Sequence, residues 1–73
     1  MKLTMLLKDQ NSGGNGCPSV YLADSGEFVV QGIELDDDTH AELENVLPGE
    51  NAIRISADVL VGAVDRYRER QEP

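Results

Sequence analysis

Little in this sequence can staple a small fold together. Cys17 is the only cysteine among 73 residues, so an intrachain disulfide is impossible. Cys17 and His40 are also the only soft metal ligands, and a structural zinc site takes four. Basic residues are scarce, six against 14 acids, for a formal net charge of −8. That balance repels phosphate backbones, so no direct nucleic-acid binding is expected. It favours a partner with a basic surface. No apolar run approaches the ~20 residues that span a bilayer, so no membrane role is expected. Met1–Lys8 has a faint resemblance to a leader, but its apolar part is short and no small-residue cleavage site follows. The expected compartment is the cytoplasm, and the lone cysteine agrees.

The chain is long enough for one domain. At this size a core is small, and such domains usually draw support from a disulfide, a metal or a second subunit. With the first two removed, self-association or a partner protein is the expected support, and a homodimer the expected state.

Residues 1–8 are mildly apolar and read either as a short strand or as an arm that packs on a partner. Residues 9–16, Asp-Gln-Asn-Ser-Gly-Gly-Asn-Gly, are a flexible linker by composition. The expected division is therefore an arm and Gly-rich linker over 1–16 and one domain over 17–71. Ser19–Ala23 is β-branched and aromatic and reads as a strand. Asp24-Ser25-Gly26 is a tight turn, and Glu27–Leu35 reads as the second strand of a hairpin. Gly32 inside that strand points to a bulge or to the close approach of another backbone.

Three aspartates, Asp36, Asp37 and Asp38, end the strand and precede a helix, whose positive dipole end they face. Thr39 and Glu42 have the spacing of a capping box. Leu43, Val46 and Leu47 then fall on one helical face, and Pro48-Gly49 ends the helix. Asn51–Ser56 alternates and reads as a third strand. Ser56 suits the N-cap of a last helix, with Asp58 in its first turn. Val59, Leu60, Ala63, Val64 and Tyr67 form its apolar stripe, with Val61 beside it. The expected fold class is α+β, in the order ββαβα. It comprises a mainly antiparallel three-stranded sheet, with an extra N-terminal strand as an alternative, packed with two helices.

None of the chemistry-bearing residues assembles into a catalytic, cofactor or metal motif. Asp36–Asp38 lack the ligand spacing and central glycine of a calcium loop. Gly13-Gly14-Asn15-Gly16 lacks the lysine of a phosphate loop and the strand–turn–helix context of a dinucleotide site. Cys17 as a nucleophile would need a base, and nothing in the sequence places His40 beside it. A small apolar residue opening the hairpin is the plainer reading of Cys17. Arg66, Arg68 and Arg70 suit the negative end of a helix dipole; Arg66 and Arg70 share a face and could grip an acidic partner. Tyr21 and Phe28 flank the hairpin turn, where an exposed aromatic is a contact hot spot and a buried one is core. The candidate partner-binding residues are thus Tyr21, Phe28, Asp36, Asp37, Asp38, Arg66 and Arg70.

The stretch from Cys17-Pro18 through the Asp24-Ser25-Gly26 turn to Val30-Gln31-Gly32 resembles a family of short actinobacterial proteins of unknown function. The resemblance extends to about residue 64 and is most specific at Cys17-Pro18 and Val30-Gln31-Gly32. Ile33 stands where a tryptophan is expected, and the final helix is extended. The resemblance implies a gene placed beside a helix-turn-helix regulator and an accessory role in regulation; it carries no catalytic residue. The expected function is a non-enzymatic, acidic protein-binding module with a regulator as partner. The alternatives are a small self-assembling structural protein and a thiol-dependent redox protein using Cys17.

Overall fold

A computed structural model describes residues 1–9 and 18–71. Among these residues the fold is α+β, with three strands in one antiparallel sheet, two short strands in another, and two helices. The N-terminal segment forms a strand. β1 (Leu3–Lys8) lies at one edge of the larger sheet, β2 (Ser19–Ala23) at its centre and β3 (Phe28–Gln31) at the other edge. The folded unit therefore includes Leu3–Lys8, which precedes the 17–71 domain expected from composition. Cys17 and the glycines of the linker lie outside the described residues.

The hairpin forms as its sequence dictates. The Gly26 N–H donates to the Ala23 carbonyl at 2.9 Å, and the Ala23 N–H to the Glu27 carbonyl at 2.8 Å. This closes a three-residue loop with Gly26 at φ 93°, a conformation that needs a residue without Cβ.

The strand expected over Glu27–Leu35 breaks at Gly32. β3 stops at Gln31, and Ile33–Glu34 (β4) leaves to pair antiparallel with Ile53–Arg54 (β5) in the second sheet. The cause is close backbone approach. A Cβ on Gly32 would stand 2.5 Å from the Arg54 carbonyl oxygen. The third expected strand therefore joins β4 rather than the main sheet, and β1 takes the third place there.

The middle of the chain departs furthest from expectation. α1 spans only Asp37–His40, and its N-cap is Asp36 rather than Thr39. The Asp36 carboxylate accepts from the Thr39 N–H at 2.7 Å, which is the N-cap-to-N3 contact. Glu42 donates its N–H to the Thr39 carbonyl and Leu43 to that of His40, so the turn tightens and ends. Asn45 then adopts φ 56°, a left-handed conformation that asparagine tolerates and a helix does not. A helix this short needs tertiary packing to propagate, and no residue of α1 is buried. Leu47–Glu50 closes as a turn, with the Glu50 N–H on the Leu47 carbonyl and Gly49 at φ 90°, the arrangement Pro-Gly favours at its centre.

α2 (Ala57–Gln71) begins as expected, with the Leu60 N–H donating to the Ser56 carbonyl. Its stripe of Val59, Ala63 and Tyr67 lies on β1 and β2. Leu6, Val20, Val59 and Ala63 form the buried centre, with Leu7, Leu22, Val30, Ile55 and Tyr67 packed around it. In register, Leu7, Val20 and Val30 make one cross-strand row. A bulge between Met5 and Leu7 inserts Leu6 as an extra residue, so Leu6 and Leu7 both contribute to the core. Gly62 admits this, because Leu7 Cδ2 lies 2.5 Å from where a Cβ would stand.

Candidate protein-binding surface

The seven candidate contact residues fall in four separate places. Tyr21 pairs in register with Val29, and Phe28 with Leu22. Side chains alternate along a strand, so the two aromatics occupy opposite faces of the sheet. Tyr21 donates its hydroxyl to the Gln31 amide oxygen at 2.9 Å. Phe28 turns toward the helix and meets Tyr67 edge-on, with ring centroids 5.1 Å apart and planes at 83°. The two therefore form no shared patch, and Phe28 belongs to the border of the core.

Asp36, Asp37 and Asp38 open a longer feature that sequence reasoning split into parts. Every residue from 36 to 51 is exposed. This loop carries Asp36, Asp37, Asp38, Glu42, Glu44 and Glu50, with no lysine or arginine. It also leaves three aliphatic side chains in water: Leu43 (37% exposed), Val46 (42%) and Leu47 (61%). The sequence signal for them was present, since helical spacing implied a common face. Without the helix that face is not built, and none of these residues is buried in the described structure. Thr39 holds the Asp36 carboxyl below its ordinary pKa through hydrogen bonds from its side chain and then its backbone, and the Arg54 charge adds to the effect. Glu50 accepts from the Leu47 N–H at 3.0 Å, fixing the loop's far turn.

Arg66 and Arg70 lie one helical turn apart on α2. With Glu69, and with Met5 and Leu6 of β1, they line a groove of about 260 Å³. A second depression, about 340 Å³, is lined by Asp9, Pro18, Ile33, Arg54, Ile55 and Ser56. His40 sits on exposed α1. Among the described residues no three metal-ligating side chains cluster, and no helix is long and apolar enough to cross a membrane. No family model, curated protein or solved structure matches this chain.

Proposed function

We propose that this protein is a non-enzymatic, cytoplasmic protein-binding module whose contact element is the acidic loop of residues 36–51. The carrying observation is the loop's combination of six carboxylates, no lysine or arginine and three exposed aliphatic residues. A loop that serves only to connect β4 and β5 gains nothing from exposing Leu43, Val46 and Leu47. Apolar anchors within a charged rim are the chemistry of a protein contact. The charge selects a basic partner surface and speeds encounter with it. A helix-turn-helix regulator, the partner class implied by the Cys17–Gly32 resemblance, presents such a surface to DNA. The loop would compete with DNA for it, making this protein an antagonist of the regulator.

The test is recovery of a regulator from native cells on the tagged protein, wild type against Leu43→Ser/Val46→Ser/Leu47→Ser. Wild type is expected to recover a basic DNA-binding protein, and the variant, folded by circular dichroism, to lose it. Equal recovery by both, or no such protein on either, overturns the reading.

A further inference from the structure

We propose that a second copy of this chain is an occupant of the acidic loop, which it seats in the groove between β1 and α2 lined by Met5, Leu6, Arg66 and Arg70. This rests on reading residues 36–51 as the contact element and names a partner for it. The loop calls for a surface that is basic and partly apolar, and this chain carries one. Three of its six bases, Arg66, Arg68 and Arg70, lie in the last turns of α2. Of these, Arg66 and Arg70 line the groove, whose other wall is Met5 and Leu6; Met5 is 49% exposed. Among the described residues neither guanidinium has an ion-pair partner, although acids outnumber bases by 14 to 6 in the sequence. Among the described residues Glu69 is the only carboxylate in the groove lining.

The loop does not fill the groove of its own chain. It is rooted at β4 and β5, immediately before Ser56 and the start of α2. Arg66 and Arg70 stand about 15 and 21 Å further along the helix, at ~1.5 Å per residue. In a two-fold pair the same contact forms twice, each loop entering the other's groove, and the assembly closes. Glu42 and Glu44 flank Leu43, so carboxylates and an aliphatic anchor arrive together where guanidiniums adjoin an apolar wall. The small core gives a reason for a second copy: among the described residues its buried hydrophobic side chains are Leu6, Val20, Ala23, Val59 and Ala63. A basic partner would compete with the second copy for the same loop, coupling dissociation of the dimer to capture of that partner.

The experiment is the solution mass of the full chain by sedimentation, alone and in mixtures, at low salt and at about 1 M, where the screening length is ~3 Å. Wild type is expected at twice the chain mass in low salt, with at least about tenfold weaker association at high salt. Arg66→Glu/Arg70→Glu gives an acidic groove facing an acidic loop, and is expected as a monomer. Glu42→Arg/Glu44→Arg sets two arginines beside the Leu43 anchor, opposite Arg66 and Arg70 of the groove, and is also expected as a monomer. Mixed one to one, the two variants have both contacts restored with reversed sign in one of them, and are expected to form a heterodimer. All four substitutions lie at exposed positions, and circular dichroism of each variant checks that it is folded. A monomeric wild type, dimerisation of either variant alone, or failure of the folded mixture to associate overturns the proposal. A monomeric wild type whose Leu43/Val46/Leu47 variant still loses the regulator removes the second copy and leaves the loop as the contact element. A dimer that obeys the charge swaps, with recovery of the regulator unchanged in that variant, supports the self-contact and removes the regulator.

Discussion

Gly32 and Gly62 face the same overlap with opposite consequences. A Cβ at either position would stand 2.5 Å from its nearest neighbour. At Gly32 that neighbour is the Arg54 carbonyl oxygen, with Ile53 Cδ1 at 2.8 Å; at Gly62 it is only the tip of Leu7. A carbon rarely sits closer than about 3.3 Å to a carbonyl oxygen, so Gly32→Ala must push β5 away by roughly 0.8 Å. Overpacking of this kind costs about 1–3 kcal/mol, offset by about 0.4–1 kcal/mol from the stiffer unfolded chain. The expected net loss is ~1–2 kcal/mol, or a fall in Tm of about 4–16 °C for a domain of this size. Gly62→Ala instead needs a rotation of the Leu7 side chain, and alanine gains about 1 kcal/mol of helix propensity over glycine. It is expected within about 1 kcal/mol of wild type. Urea and thermal unfolding of both variants measure the difference, and amide exchange at residues 33, 34, 53 and 54 tests whether the small sheet opens in Gly32→Ala. The reasoning fails if Gly62→Ala is the more damaging change, or if Gly32→Ala keeps both its Tm and those amide protections.

Three further outcomes follow from the same packing. Val20, at 0% exposure the centre of the core, loses about 2–3 kcal/mol on replacement by alanine, a large share of the stability of a domain this small; a urea midpoint near that of wild type would contradict it. The edge-on contact of Phe28 and Tyr67 should give a coupling of about 0.5–1.5 kcal/mol in a double-mutant cycle with leucine at each position, and additive losses would show that the rings merely adjoin. Asp36 is held below its ordinary pKa in the folded chain, so its support of the α1 turn is present above the unfolded carboxylate pKa and is lost as pH falls through the lower folded value. The Thr39 amide resonance should therefore titrate with a midpoint below the ordinary aspartate range, lose that transition in Asp36→Asn, and refute the assignment if its midpoint is normal.

Local signals in the sequence determined the hairpin and the last helix. Gly26 at its left-handed position, the β-branched run of Ser19–Ala23, and the 3.6-residue spacing of Val59, Ala63 and Tyr67 each act over a few residues and do not depend on a distant partner. Gly32 was also legible as a site of backbone approach, although not which backbone. The candidate surface was half legible. Its charges and its aliphatic residues were visible, but they were assigned to a helix with a buried face.

Tertiary structure decided the rest, because the outcome depended on competition between segments distant in sequence. Met1–Lys8 lacks a distinctive pattern, and Leu3–Lys8 becomes a strand because β2 offers a free edge and Gly62 leaves room for Leu7. β5 pairs with β4 because the chain crosses itself at Gly32, a contact across more than twenty residues that no local pattern encodes. Thr39–Leu47 has the pattern of a capped amphipathic helix but no surface to pack on. Asp36 captures the cap, Asn45 turns left-handed, and Leu43, Val46 and Leu47 remain in water. An amphipathic pattern states which residues would share a face; only the packing of the whole chain determines whether that face is covered.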